Sequence, residues 1–241
     1  VYPGRSGKAL LTVFDKHGKV VHEDALQGAE VIDGVRIDRD DNLYVQVSGL
    51  PLEGGKLPPR PNRIGCTLMK AGAKKLRMRS KAGIVPLPKA QWPDRPADFM
   101  RMNTTPVWVE GVDWMYGDVG ISGISTPVNN CHCQATARFD LDYYARSFAI
   151  EAPKFRIAVL DANGNVVTRL GRYGNVDDGM PLVKDGGPPR PRSIGGDEVA
   201  IMNCLQLAVH TDKRLFIADV GNGCIRSVKL EYKAEEKVAL R

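Results

Sequence analysis

The fold of this chain is decided by the stretch Leu215-Phe216-Ile217-Ala218-Asp219-Val220-Gly221-Asn222-Gly223-Cys224-Ile225, which follows a short apolar strand at residues 207–209. An alternating apolar strand ends here in an acid, and that acid lies six residues before the isoleucine of the next strand. The same pattern occurs at residues 139–141, 148–151 and Arg156-Ile157, with every position 68 residues earlier. A sheet unit that recurs in register indicates a repeat architecture.

Two further strand–turn–strand elements complete the repeating unit. Residues 8–22 read as a hairpin around the turn Asp15-Lys16-His17-Gly18, and residues 159–167 repeat it around Asn163-Gly164. Asn-Gly between apolar runs predicts a hairpin with a type I′ turn, in which both central residues have positive φ. Together with the first pattern, these elements predict a unit of four short strands.

A degenerate copy of the unit occupies residues 29–83. Its first two strands surround the turn Asp38-Arg39-Asp40-Asp41-Asn42, and Asn62-Arg63-Ile64 opens the third strand. Residues 48–61 are rich in proline and glycine and read as an inserted loop. We expect residues 70–81 to form the fourth, outer strand, because their alternating charges would oppose edge-to-edge pairing.

These residues resemble the blade signature of NHL-repeat β-propellers. That signature has a strand ending in Ala-Asp, an asparagine shortly after it, and Arg-Ile opening the third strand; residues 215–225 carry it with Cys224 in place of arginine. Residues 148–157 match with glutamate for the acid, and residues 44–46 with 62–64 match with glutamine. The resemblance implies an all-β propeller of four-stranded antiparallel blades around a central axis, with long loop insertions.

About three and a half blades are recognisable, so we expect the propeller to be incomplete in this chain. The resemblance implies little about activity, because propellers host unrelated functions. The expected division is 1–28 as the outer strands of a partial blade, 29–83 as the degenerate blade with its insertion, 84–133 as a Trp- and Gly-rich irregular insertion, 134–172 as a blade, 173–197 as a Gly-, Pro- and Asp-rich loop, and 198–241 as the C-terminal blade.

Cys131-His132-Cys133 is the candidate metal-binding motif. In an extended strand the two cysteines lie on one face and the histidine on the other. Thiolate and imidazole are ligands for zinc or copper. Small buried residues are the alternative interpretation, and a disulfide among the five cysteines of the chain is another.

Asp38, Asp142 and His210 each stand just after the innermost strand of a predicted unit. The resemblance implies that these positions line the propeller axis, where related propeller lyases hold a catalytic zinc by histidines. His210 is the best-placed candidate ligand, and the two acids could bind calcium or a polar ligand. The alternative is that the three side chains simply form Asx-type turns.

Lys74, Lys75 and Arg77 form a basic run on the predicted outer strand. The net charge of +6 allows an anionic partner, and some NHL propellers bind RNA through a basic face. No aromatic residues are interleaved with the run, as they are in many single-strand binders. A charged, solvated outer strand explains it equally well, so nucleic acid is not the expected partner.

The sequence contains no Ser-His-Asp order, phosphate loop, pair of catalytic carboxylates or dinucleotide fingerprint. We therefore expect a non-catalytic binding or scaffold module of a larger secreted bacterial protein, located outside the cell or in the periplasm. The competing functions are a metal-dependent lyase or hydrolase at the propeller axis, with zinc, copper or calcium, and RNA binding through the basic run.

The expected partner is a protein, which includes the remaining propeller blades supplied by sequence before Val1 or by another chain. Closure of the ring by a strand near residues 238–240 is the alternative. There is no run of about 18 apolar residues, so no membrane span is expected.

Overall fold

The computed structural model describes most of the chain and shows an all-β protein, as predicted. Its strands form four larger sheets and two small ones. Lys89–Gln91 and Ala152–Lys154 are short 3-10 helices, and no helix in the described part of the chain has the length and apolar character needed to span a membrane. The described residues are 11–29, 32–57, 65–73, 75–81, 86–101, 105–120, 138–174 and 199–230.

The four larger sheets pack face to face, and we number them sheet 1 to sheet 4 along the stack. Sheet 3 lies within the predicted unit 134–172 and is an antiparallel meander. Its register pairs Phe148 with Val159 and Glu151 with Arg156. Its strands are Asp140–Leu141, Ser147–Glu151, Arg156–Leu160 and Val166–Leu170.

Sheet 4 has the register of sheet 3, displaced along the chain by 68 residues. Phe216 pairs with Ser227 and Asp219 with Cys224, at the positions that match Phe148 and Glu151. This is the offset read from the sequence. The described strands of sheet 4 are Cys204–His210, Arg214–Asp219 and Cys224–Lys229.

Sheet 2 takes its fourth strand from an unexpected part of the chain. Residues 70–81 were expected to supply it, but Trp114–Val119 pairs with Cys66–Gly72 instead. The third strand is antiparallel to the second with Val47 opposite Thr67, at the position of the Glu151–Arg156 pair. The match of Gln46 to the acid of the other units is therefore wrong by one residue. The strands of sheet 2 are Ile32–Ile37, Asn42–Ser48, Cys66–Gly72 and Trp114–Val119.

Sheet 1 is built from segments that were expected to be connections or an outer strand. Leu76–Ser80 pairs in parallel with Leu26–Gln27 and antiparallel with Thr105–Glu110. Residues 84–133 were expected to be an irregular insertion, but three of their described segments, Phe99–Arg101, Thr105–Glu110 and Trp114–Val119, are strands of sheets 1 and 2. In spatial order, sheet 1 contains Leu26–Gln27, Leu76–Ser80, Thr105–Glu110, Phe99–Arg101 and Leu50–Pro51.

Two small sheets complete the described structure. Val13–Phe14 pairs with Val20–His22 around the predicted turn at Asp15, and Arg172–Tyr173 pairs in parallel with Ala200–Ile201. The hairpin leaves its two strands largely in solvent, since Phe14, Val20 and Val21 are exposed.

Each sheet in the middle of the stack buries both of its faces. In sheet 3, Phe148, Ile150 and Ile157 pack against Leu215 and Ile217 of sheet 4. The alternate residues of sheet 3 turn the other way, so that Ala149 and Leu160 pack against Tyr44 and Leu68 of sheet 2. The opposite face of sheet 2, with Leu43, Val45 and Met69, packs on Leu76, Phe99 and Val107 of sheet 1. The stack therefore encloses three successive apolar layers.

The buried side chain of Glu151 connects sheets 2 and 3 through hydrogen bonds and ion pairs. Its side chain is 1% exposed and meets Arg156, Arg169 and Lys154, while the hydroxyl of Tyr116 in sheet 2 donates a 3.0 Å hydrogen bond to its Oε1. Burial alone would raise the pKa of Glu151, but the hydrogen bond from Arg156 and the charge of Lys154 outweigh it and hold the pKa below its ordinary value of 4.5. The carboxylate is therefore ionised in the folded state.

Two hairpin turns of the chain have the same geometry. The turns at Asp15 and Asp161 each have a carboxylate that accepts hydrogen bonds from the amides two and four residues later. Their fourth residues, Gly18 and Gly164, have φ of +81° and +83°, whereas Asn163 does not have positive φ. The type I′ expectation is therefore wrong: only one residue of each turn is left-handed, as in a type I turn closed by a bulge.

Gly164 should be far less tolerant of substitution than its counterpart Gly18. Alanine carries the left-handed penalty of about 1–2 kcal/mol at both sites. A Cβ at Gly164 would also lie 2.6 Å from the ring of Trp114, whereas nothing lies within 4 Å of a Cβ at Gly18. We expect Gly164→Ala to lower the free energy of unfolding by about 1–3 kcal/mol more than Gly18→Ala in urea titrations. Equal effects would contradict the packing of this turn on Trp114.

Glu151→Gln should destabilise the protein and make its free energy of unfolding less dependent on pH. Removing the carboxylate leaves the cations of this buried cluster without a counter-charge. We therefore expect the free energy of unfolding to fall by about 3 kcal/mol at pH 7. This is the lower end of the usual range, because the cations remain partly hydrated. The lowered pKa stabilises the fold fully above about pH 4.5, and this contribution is lost as the pH falls further.

Urea unfolding from pH 7 to pH 3 measures both effects. The control is Glu110→Gln, which removes an exposed pair with Arg79 and should change stability by less than about 0.5 kcal/mol. A Glu151→Gln variant that loses stability with acid as steeply as the wild type would rule out this role.

Candidate functional site: a cleft between three turns

Three turns at one end of sheets 2, 3 and 4 enclose an open cleft of about 570 Å³. Each turn joins the first two strands of its sheet, and the turns begin at Asp38, Asp142 and His210. The structure thus brings together the three residues for which the sequence predicted a common location. They meet because each occupies the same place in its sheet and the sheets stack in the same orientation.

Asp38 and Asp142 form Asx turns, which was the alternative interpretation of these residues from the sequence. Oδ1 of Asp38 accepts hydrogen bonds from the backbone amides two and four residues later, at 3.0 and 2.9 Å. Oδ1 of Asp142 does the same, at 2.9 and 2.9 Å. Burial alone would raise the pKa of Asp38, but hydrogen bonds from the side chain and backbone of Asn42 outweigh it and lower the pKa. Both carboxylates are therefore committed to holding the turns.

The turn of sheet 4 has a histidine at the same place. Nδ1 of His210 lies 3.3 Å from the backbone nitrogen of Asp212 and 2.7 Å from its Oδ1. The imidazole ring also makes an edge-to-face contact with Phe216. His210 is therefore placed to shape the third turn, and its exposed ring lines the cleft.

Asp140 connects the three sheets beneath the cleft. It lies on the first strand of sheet 3, and its Oδ1 accepts a 2.7 Å hydrogen bond from Nε of Arg36 in sheet 2. Its Oδ2 accepts a 2.9 Å hydrogen bond from the backbone nitrogen of Val209 in sheet 4. One mostly buried carboxylate thus sets the spacing of all three first strands.

The cleft holds more cationic than anionic side chains. Among its lining residues, Arg36 pairs with Asp140 and Arg146 pairs with Asp142. Arg39 and Lys213 make no ion pair with any residue that the structure describes, although both line the cleft. The guanidinium of Arg39 lies 5.5 Å from the ring centroid of Tyr143.

Two exposed tyrosines form the aromatic part of the cleft. Tyr143 and Tyr144 are 72% and 66% exposed, although each is a large ring. Their centroids lie 5.5 Å apart in an edge-to-face arrangement, and Arg146 lies over Tyr144 at 5.2 Å. Exposed, mutually supported rings beside unpaired cations are suited to contact with a ligand.

The predicted metal ligands do not assemble in the described structure. Among the described residues, no group of three or more His, Cys, Asp or Glu side chains could hold a metal ion, so His210, Asp38 and Asp142 do not form one there. Cys131, His132 and Cys133 lie outside the described residues, and their role stays a prediction.

The three described cysteines are Cys66, Cys204 and Cys224, and no disulfide joins them. Burial raises the pKa of the Cys204 thiol to about 12, with the negative charge of Asp219 adding to the effect. This thiol is therefore protonated at neutral pH and is a poor nucleophile.

The predicted anion-binding run lies away from the cleft. Lys74 is outside the described residues, Lys75 precedes the strand Leu76–Ser80 of sheet 1, and Arg77 donates to the carbonyl of Leu76 at 3.0 Å. Neither Lys75 nor Arg77 lines the cleft.

A second surface of interest is the outer face of sheet 4. Phe216, Ile225 and Val220 are 37%, 76% and 52% exposed. Phe216 and Ile225 match Phe148 and Ile157 of sheet 3, which are 1% and 0% exposed because sheet 4 covers them. The outer face of sheet 4 is thus the surface that the stack covers elsewhere.

Sequence reasoning missed the aromatic and cationic parts of the cleft. Tyr143 and Tyr144 follow Asp142 directly, and Arg39 and Lys213 lie in the two other turns. Adjacent tyrosines in an otherwise polar turn are a signal that could have been used, since a turn needs no aromatic ring for its own stability.

A comparison with protein-family models and with curated proteins gives no match for this chain. The cleft and the outer face of sheet 4 therefore carry the functional argument on their own.

Asp140 should contribute more to stability than Asp212, an exposed acid in the turn of sheet 4. Asp140→Ala removes a charged hydrogen bond to Arg36 and leaves the amide of Val209 without its partner. We expect a loss of about 2 kcal/mol in the free energy of unfolding. Asp212→Ala removes a solvent-exposed pair with His210 and should cost less than about 0.5 kcal/mol. Similar losses in the two variants would show that Asp140 does not tie the sheets together.

Proposed function

We propose that this chain is a non-catalytic binding and scaffold module with the architecture of an NHL-type β-propeller, and that it binds a protein on the outer face of sheet 4. The observation that carries the proposal is the exposure of Phe216 and Ile225 on that face, among polar side chains such as Gln206, Ser227 and Lys229. Sheets 2 and 3 each place the matching face against the next sheet of the stack. The same face of sheet 4 has Phe216 and Ile225 in solvent.

The other end of the stack has a different character. The outer face of sheet 1 carries Arg79 and Glu110, which form an exposed ion pair at 3.1 Å, together with Arg77. The large apolar side chain of that face, Trp108, is buried, and its Nε1 donates a hydrogen bond to the carbonyl of Arg95. Phe216 and Ile225 on the outer face of sheet 4 are exposed instead, which supports association at sheet 4.

The partner is an antiparallel sheet from another protein segment that presents aliphatic side chains on one face. This is the surface that sheet 4 itself presents to sheet 3, through Leu207, Leu215 and Ile217. A second copy of the chain cannot offer it, because those residues are already covered by Phe148 and Ile157. The charged outer face of sheet 1 does not complement apolar side chains either.

A matched pair of alanine variants tests whether the face is uncovered in the chain alone. Ile157→Ala creates a buried cavity and should lower the free energy of unfolding by about 3 kcal/mol. Ile225→Ala, at the matching position of sheet 4, should change it by less than about 0.5 kcal/mol. A loss at Ile225 as large as that at Ile157 would mean that the chain covers this face itself, and the proposed partner site would be abandoned.

Site-specific photo-crosslinking tests the partner. A photoreactive phenylalanine analogue replaces Ile225 in the full chain produced in its native host, with the 59%-exposed Val167 as the control position. We expect crosslinks from position 225 to a β-strand with alternating aliphatic residues, lost when Phe216→Asp is added. Crosslinks confined to this chain or to a second copy, or no excess over position 167, would overturn the proposal.

A further inference from the structure

The cleft between the three turns carries an inference that is independent of the partner surface on sheet 4. Its two unpaired cations, Arg39 and Lys213, come from the turns of sheets 2 and 4, on either side of the turn of sheet 3. The lining acids cannot neutralise them, because the carboxylate of Asp38 bonds to its own turn and to Asn42, and that of Asp142 bonds to its own turn and to Arg146. Arg39 and Lys213 therefore have no ion-pair partner among the described residues and are free to pair with a ligand.

Acidic residues in the same turns limit how much negative charge the ligand can carry. Asp40 and Asp41 are exposed beside Arg39, and Asp212 is 52% exposed beside Lys213. A polyanion laid across the turns would meet these carboxylates at close range. A single planar carboxylate is better matched, since a guanidinium binds it through two parallel hydrogen bonds and an ammonium pairs with it at short range.

The rings of the cleft indicate the shape of the rest of the ligand. Tyr143 is 72% exposed, and the Arg39 guanidinium lies 5.5 Å from its centroid, so a charged group and an open ring face adjoin. A tyrosine face held in this way packs against flat apolar surfaces such as an aromatic ring or the C–H face of a sugar. The cleft volume of about 570 Å³ falls within the range of small-molecule sites.

We propose that this cleft binds a ring-shaped molecule that carries one carboxylate. Arg39 and Lys213 hold the carboxylate, and Tyr143 packs against the ring. The ring can belong to a sugar acid or to an aromatic acid; the recognition chemistry is shared, and the experiment separates the two sources. Neither class requires any residue of the partner surface on sheet 4.

Isothermal titration calorimetry with four probes tests the proposal on the full chain. Galacturonate represents the sugar acids and benzoate the aromatic acids, and the neutral compounds galactose and benzamide are their controls. We expect at least one acid to bind about tenfold or more tightly than its neutral counterpart, with an affinity that falls as salt increases. The acid that binds identifies the source of the ring.

Three substitutions locate the binding in the cleft. Arg39→Gln, Lys213→Gln and Tyr143→Ala should each weaken the acid by about tenfold. The matched control is Lys16→Gln, because Lys16 is exposed and holds in the turn at Asp15 the place that Arg39 holds in the turn at Asp38. It should leave the affinity unchanged.

The proposal is overturned if neither acid binds more tightly than its neutral control, or if binding survives both Arg39→Gln and Lys213→Gln in variants with wild-type unfolding curves. Loss of binding to the same extent in Lys16→Gln would also overturn it, because the effect would then be one of net charge. Failure of the partner crosslinks at Ile225 leaves these outcomes unaffected, so the two proposals fail separately.

Discussion

The structure depends on one constraint: its middle sheets are apolar on both faces. Neighbouring residues of a strand point in opposite directions, so Phe148 faces sheet 4 while Ala149 faces sheet 2. Neither face can be left in water without losing the free energy of burial, about 25 cal/mol for each Å² of apolar surface. Each middle sheet therefore needs a neighbour on both sides, and the stack of sheets 1 to 4 provides them. The polar face of sheet 1 ends that stack at one side.

Polar ties decide how the stacked sheets are aligned, because apolar contact alone has little directional preference. Asp140 joins Arg36 of sheet 2 to the backbone of Val209 in sheet 4, near the turn end of the strands. Glu151 joins Tyr116 of sheet 2 to the cations of sheet 3 near the other end. With both ends aligned, equivalent turns of three sheets must lie side by side. The cleft is thus a consequence of the stacking and needs no separate structural element.

The same repetition produces two surfaces with different chemistry. The turn end of the stack gathers charged and aromatic side chains, because turn residues are free of the packing that governs the strands. The outer face of sheet 4 keeps two large apolar side chains of a covered face, Phe216 and Ile225 in the places of Phe148 and Ile157, but has Ser227 in the place of Val159. The first surface thus offers charged and aromatic groups, and the second offers two exposed apolar side chains. One repeated unit therefore presents two chemically different surfaces.

The sequence by itself determined the strands of sheets 3 and 4, their register, and the shared place of Asp38, Asp142 and His210, because period-two alternation and Asx turns are local properties. Only the tertiary structure decided that Trp114–Val119 completes sheet 2 and that Leu76–Ser80 belongs to sheet 1. Several strands could have satisfied either edge by their local pattern, and burial against the neighbouring sheets selected among them. The cleft was likewise beyond local reasoning, since Arg39, Tyr143 and Lys213 come within reach of one ligand only when three sheets are stacked.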